Sequence, residues 1–205
     1  EGVDRMKGVE RALGAHRDVA DAAARAAAVV AERARSEGLA DVVYAEVDSP
    51  FGPLLAAATR RGLACLAYPD EPVDAVLDRL ALRLSPRIVE GPLDRERREL
   101  EEYFEARRSR FDLPVDLSLV AGFGRRVLRA TARIPYGSVS TYAEIAAKAG
   151  NARASRAAGN ALGANPLPIV VPCHRVVATG GGLGGYTGGL DRKEFLLRLE
   201  GHLAD

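Results

Sequence analysis

The sequence predicts an α+β protein in which a small antiparallel sheet region precedes a mainly helical region with a helix-turn-helix. Three observations carry that reading. Between residues 42 and 68, short β-prone runs alternate with Pro/Gly turns. From residue 118 onward the apolar spacing becomes helical and a capping box opens a short helix. The 205 residues are 47% hydrophobic and contain no apolar run near ~18 residues, which leaves room for one or two globular cores and no spanning helix.

Residues 1–40 read as an amphipathic helical extension of unassigned role. Val19, Ala22, Ala23, Ala26, Val29 and Val30 share helical spacing, and Gly38 is its expected terminator. Residues 41–110 form the expected α+β domain. Val42–Val47 reads as a strand and Ser49-Pro50-Phe51-Gly52-Pro53 as a turn. Leu54–Thr59 and Leu63–Tyr68 pair around Arg60-Arg61-Gly62, and helices follow at Pro72–Leu84 and Leu93–Arg108. Residues 111–117 alternate apolar and polar, which predicts an extended, half-buried linker.

Residues 118–205 form the second domain. Phe123, Val127 and Thr131 make a helical stripe, and Ile134-Pro135-Tyr136-Gly137 ends that helix. Thr141-Tyr142-Ala143-Glu144 is the capping box of the next, and Asn151 is expected to cap a further helix through Arg153 and Arg156 to about Gly163. Two short helices joined by a Gly-Asn turn fit a helix-turn-helix, or equally a simple packing unit.

Charge is divided unevenly. The chain carries 29 Lys/Arg and 28 Asp/Glu, yet residues 118–205 hold 11 of the basic and 5 of the acidic groups. A basic half on a near-neutral chain points to a polyanion, or to solvated helix faces alone. Two cysteines, Cys65 and Cys173, are too few for a disulfide framework or a Cys-rich zinc site, so a reduced, cytoplasmic protein without metal or cofactor is expected. Cys65 reads as a buried strand residue.

The chemistry concentrates in Asn165-Pro166-Leu167-Pro168-Ile169-Val170-Val171-Pro172-Cys173-His174-Arg175-Val176. Ile169–Val171 is expected to be a short buried strand, with prolines fixing the backbone around Cys173. A free thiol with a pKa near ~8.5 needs a base or a cation to act as a nucleophile. His174 is the natural base, but neighbours on an extended strand point apart, so a bridging water is required. An orienting carboxylate should stand on the far imidazole nitrogen, with Asp191, Glu194 and Glu200 as candidates. The glycine-rich run Gly180–Gly189, with Tyr186 and Thr187 inside it, reads as a flap over a ligand. Its GxGxxG match carries little weight, because no helix opens directly after it.

Taken together, Ile134-Pro135-Tyr136-Gly137, Thr141-Tyr142, Arg156-Ala157, Asn165-Pro166, Pro172-Cys173-His174-Arg175-Val176, Tyr186-Thr187-Gly188-Gly189-Leu190 and Lys193-Glu194 closely resemble the O6-alkylguanine-DNA alkyltransferases. The resemblance extends more weakly back through Asp48–Leu54 to about residue 42, and it excludes residues 1–40.

It implies a ribonuclease-H-like N-terminal domain and a winged-helix-like C-terminal domain. It also implies irreversible transfer of an alkyl group from O6-alkylguanine, and from O4-alkylthymine, to Cys173. The implied catalytic group is Cys173, His174, Glu200, Asn165, Tyr186 and Lys193, with Thr187, Pro168 and Val176 around the substrate. Tyr142, Arg156, Arg153 and Arg175 are the implied DNA contacts, with the second helix in the minor groove and the base flipped out. The implied partner is lesion-bearing double-stranded DNA bound by a monomer, with cooperative binding left open and no membrane. Two other classes compete: a non-catalytic lesion-binding or regulatory DNA module, and a cysteine hydrolase built on Cys173 and His174.

Overall fold

Alternating small and branched residues build the sheet. In the computed structural model, which describes residues 22, 25, 26, 29–34 and 36–203 except 181, β1 (Val42–Val47), β2 (Leu54–Thr59) and β3 (Gly62–Ala67) form an antiparallel meander. A three-residue β4 (Ile88–Glu90) adds to β1 in parallel, giving the order β3-β2-β1-β4. The expected antiparallel sheet is therefore a mixed one. Helix α1 (Val73–Arg83) carries the chain from one sheet edge to the other, which allows the parallel pairing. A three-residue strand between prolines leaves little pattern to detect.

Both sheet faces are covered. Leu55, Ala57, Cys65 and Ala67 pack with Val76 and Leu80 of α1, so Cys65 is the buried strand residue its sequence context suggests. On the other face Ala45, Val47, Leu54, Ala56, Leu63, Leu66 and Tyr68 belong to a core that takes in Leu100 and Tyr103 of α2 (Asp94–Phe104) and continues into the helical half. That continuity brings Tyr68 and Tyr103 to the chemistry described below.

The 111–117 segment runs extended against the start of β3. Leu63 N donates to Pro114 O at 2.9 Å and Asp116 N to Leu63 O at 2.8 Å. Gly62 sits at φ +128°, and a Cβ there would lie 2.1 Å from the Pro114 carbonyl oxygen, so close approach requires glycine. The expected apolar-in alternation holds for Leu113 but fails at the end: Val115 is exposed and Asp116 is buried. Asp116 is held there by Thr59 Oγ1 at 2.7 Å and Arg61 Nε at 3.1 Å.

In the helical half, α3 (Gly122–Thr131) buries Val127, Leu128, Ala130 and Thr131. α4 (Tyr142–Lys148) begins with the expected capping box, in which Glu144 N donates to Thr141 Oγ1 and Thr141 N to Glu144 Oε2. α5 (Ser155–Gly163) starts later than the sequence predicts. Asn151 Oδ1 accepts from Arg153 N at 3.2 Å and closes a turn, which leaves Arg153 ahead of the helix. β5 (Ser140–Thr141) and β6 (Val176–Val177) pair in parallel, and α6 (Leu190–Leu199) follows the glycine-rich loop. Residues 22, 25, 26, 29–34 and 36 of the N-terminal extension are helical, and 37–38 form a turn with Gly38 at φ +70°; residues 1–21, 23, 24, 27, 28 and 35 lie outside the described residues.

Candidate active site

The expected strand at Ile169–Val171 is a turn. Leu167, Ile169 and Val171 are buried, but Ile169 takes φ +73°, and short bonds run from Val170 N to Pro168 O and from Val171 N to Leu167 O. Prolines at 166, 168 and 172 deny the backbone the donors a strand would need. Cys173–Arg175 then form a single 3₁₀ turn rather than extended chain. Asn165 braces the whole corner. Its Nδ2 donates to Val171 O at 2.9 Å and to Cys173 Sγ at 3.1 Å, while its Oδ1 accepts from Leu167 N at 3.0 Å.

Behind the thiol lies a buried polar cluster centred on Glu200. His174 Nε2 is 2.9 Å from Glu200 Oε1, so of the three candidate carboxylates the fold brings Glu200 to the imidazole. Arg175 binds the same carboxylate with Nε at 2.8 Å and Nη2 at 2.7 Å, and donates from Nη1 to Ile134 O at 2.6 Å. Tyr103 OH donates to Glu200 Oε1 at 2.6 Å. Burial works against the Glu200 charge, but the His174 and Arg175 hydrogen bonds outweigh it and hold the carboxyl down to about 2.

His174 has no exposed surface, and burial pushes its pKa below the ordinary value despite the Glu200 contact. The imidazole is therefore neutral, with Nε2–H donating to Glu200. Its Nδ1 is the single buried side-chain polar atom without a partner among the described residues. A neutral ring with a free Nδ1 lone pair is a proton acceptor in waiting. Cys173 is itself 7% exposed, and burial pushes its thiol up against the opposing pull of Asn165 and Lys193. The resting sulfur is a thiol, not the exposed thiolate that a fully activated nucleophile would present.

Cys173 lines two adjoining cavities. The larger, of about 760 Å³, is walled by Tyr142, Arg156, Gly159, Gly163, Tyr186 and Thr187, between the helix-turn-helix and the glycine-rich loop. The smaller, of about 420 Å³, runs toward the sheet past Pro168, Asn165, Leu66 and Tyr68. The loop itself is tied at several points. Tyr142 OH donates to Gly185 O at 3.1 Å, Thr187 Oγ1 to Gly163 O at 2.7 Å, and the buried Lys193 Nζ to Val176 O at 2.6 Å and to Leu183 O. Desolvation takes the Lys193 ammonium down to about 8.

These positions correct one sequence expectation and place the others. Arg175 is no DNA contact: its side chain is buried and both faces of its fork are spent on Glu200 and Ile134. Val176 contributes no side chain to either cavity wall; it is fully buried in β6, and its carbonyl oxygen receives Lys193. Lys193 likewise stands behind the loop, outside both walls. Arg156 and Arg153 are exposed, as an interface requires, and Tyr142 is half-buried under the loop. Tyr103 and Tyr68 were missed because they arrive from the other half of the chain, 97 positions before Glu200 and 118 before Tyr186. Among the described residues no cluster of three or more His, Cys, Asp or Glu could hold a metal, and no helix is long and apolar enough to cross a membrane.

The geometry is matched by family models at both ends. Residues 122–202 match the DNA-binding domain of 6-O-methylguanine DNA methyltransferase, and residues 42–117 match its ribonuclease-like domain. The chain belongs to the 6-O-methylguanine DNA methyltransferase family. A methylated-DNA–protein-cysteine methyltransferase of Mycolicibacterium paratuberculosis is 42% identical over 159 residues, covering 78% of this chain and 92% of that protein. The Methanosarcina barkeri protein of the same name is 38% identical, covering 77% and 96%. Among solved structures, the Mycobacterium tuberculosis O6-methylguanine methyltransferase superposes with a TM-score of 0.67 at 36% identity, covering 80% of this chain and 95% of that one. The M. tuberculosis OGT in complex with DNA gives 0.67 at 37% identity, covering 77% and 92%.

Because Arg175 neutralises a buried carboxylate, its loss strands that charge. Arg175→Ala is expected to lower unfolding free energy by about 3–5 kcal/mol in urea titrations. The salt dependence of DNA binding by the protein that remains folded should be unchanged, as for a residue that touches no phosphate.

Proposed function

We propose that this chain repairs DNA by direct reversal, moving the alkyl group of O6-alkylguanine onto Cys173 in one irreversible displacement. The observation that carries the reading is the setting of Cys173 Sγ. It lies in the wall of a cavity shared by a DNA-binding helix pair and a glycine loop, with Asn165 on the sulfur and, behind it, a neutral His174 hydrogen-bonded to the ionised Glu200. The names carried by the relatives favour transfer over lesion binding alone.

The chemistry follows from the charges. The thiol proton passes through a water to His174 Nδ1 as sulfur attacks the alkyl carbon. The S–C bond forms while the C–O6 bond breaks, and guanine leaves with the electron pair. Glu200 stabilises the imidazolium produced, since its charge is held ready at neutral pH. The thiol therefore needs no prior ionisation; its proton leaves only when a substrate fills the cavity. Tyr186 and the Thr187 backbone amide face the departing purine, and Pro168 flanks the alkyl group in the smaller cavity.

An O6 carbon inside the duplex stack cannot reach this sulfur, so the nucleotide must turn out. Arg156, exposed on α5 at the cavity rim, is placed to fill the vacated gap, and Tyr142 to press on the adjacent phosphate. The small residues that α5 presents along the cavity rim beside Arg156 (Ser155, Gly159 and Gly163) suit close approach to the narrow minor groove. The protein acts as a monomer in this scheme, with Arg153 assisting on the backbone.

Incubation with O6-methylguanine duplex followed by peptide mass spectrometry is expected to show one added methyl on Cys173. No added mass, or modification only at Cys65, would refute the transfer. For the flipping role, Arg156→Ala should slow repair of duplex lesions by about tenfold, a share of the few kcal/mol that unstacking costs. Reaction with free O6-benzylguanine should barely change, and equal loss on both substrates would remove the role.

A further inference from the structure

Tyr68, at the end of β3 in the sheet half of the chain, reaches the site without touching the thiol. Its hydroxyl lies 2.8 Å from the Tyr186 hydroxyl. Both phenols are sealed against Gly188, where an added Cβ would lie 2.6 Å from the Tyr68 ring and 2.7 Å from the Tyr186 ring. The Tyr68 ring is fixed from three sides: edge-to-face with Phe51 at 5.8 Å, against Tyr186 at 6.5 Å, and under the Arg192 guanidinium at 4.4 Å. Arg192 is itself held by Asp70 and by Gly188 O. One hydrogen bond thus links the sheet to the residue that shares the cavity wall with Cys173.

A phenol carries one donor proton, so the direction of this bond decides what Tyr186 can offer a ligand. If Tyr186 donated to Tyr68, its proton would point away from the larger cavity. The surroundings favour the reverse. Burial and the nearby Cys173 make both phenols reluctant to ionise, but the Arg192 guanidinium lies 4.4 Å over the Tyr68 ring and opposes this more at Tyr68 than at Tyr186. The more acidic phenol is the better donor.

We propose that Tyr68 is a positioning residue for the alkyl transfer: it donates to the Tyr186 oxygen and so leaves the Tyr186 proton aimed at the purine that occupies the cavity. The inference rests on the transfer reading above and adds a contribution from the sheet half of the chain. It requires that Tyr68 act wholly through Tyr186.

That requirement can be measured in a double-mutant cycle. Single-turnover transfer from O6-methylguanine duplex is followed at increasing DNA concentration for wild type, Tyr68→Phe, Tyr186→Phe and the double variant. Tyr68→Phe keeps the ring and its contacts with Phe51 and Arg192, so the fold is retained. It is expected to lower the limiting transfer rate about three- to tenfold, the range for one lost hydrogen bond, with the half-saturating DNA concentration unchanged. In the Tyr186→Phe background the same substitution should change nothing. An unchanged rate in Tyr68→Phe, or an equal loss in both backgrounds, would overturn the proposal. Wild-type protein that leaves Cys173 unmodified would instead remove the transfer reading on which it stands.

Discussion

A single buried carboxylate organises the catalytic half of this molecule. Glu200 closes α6 and accepts hydrogen bonds from His174, Arg175 and Tyr103, which come from the 3₁₀ turn and from α2. A lone charge in such a place would be costly; here the Arg175 fork compensates it, and His174, Tyr103 and the Gly137 amide complete the donors to its oxygens. The consequence for function is electrostatic. A committed negative charge keeps Nε2 of His174 protonated, while burial keeps the ring neutral. The lone pair of Nδ1 is thereby left for the cysteine proton. Remove any one partner and the tautomer, rather than merely the stability, is at stake.

The site lies where two halves of the chain share one core. The helical half supplies the nucleophile, its base and the DNA-facing helix pair. The sheet half supplies Tyr103 and Tyr68, each ending in a hydroxyl that touches a working residue rather than the reacting sulfur. The glycine loop between them is tied at Gly163, Gly185, Gly188, Leu183 and Val176, so its backbone is held at a set distance from Cys173. Glycine at 188 is what permits two tyrosine rings to close over the backbone there. The same burial explains why the sulfur rests as a thiol, since desolvation penalises a free thiolate.

Much of this was legible from residues alone. Strand and helix runs, the capping box, Asn165 as a brace and Glu200 as the acid behind His174 all follow from local pattern or from the motifs of the resemblance. What escaped has physical reasons. Arg175 looks like a DNA cation in sequence, because nothing local reveals a carboxylate 25 positions away that claims it. The apolar run at 169–171 satisfies a strand pattern, yet its flanking prolines and the left-handed Ile169 enforce a turn. The parallel β4 is too short to leave a period. Tyr68 and Tyr103 sit in ordinary strand and helix contexts, and only tertiary packing gives them partners in the site.

The account depends most directly on the protonation state of one imidazole. Nitrogen-15 NMR of His174 in the unreacted protein reads it without any substrate present. The expected result is a neutral ring with its proton on Nε2, held from about pH 8 down through 6.5, the ordinary imidazole value. An imidazolium at neutral pH, or a proton resident on Nδ1, would contradict it, because either form leaves no lone pair on Nδ1 to receive the thiol proton.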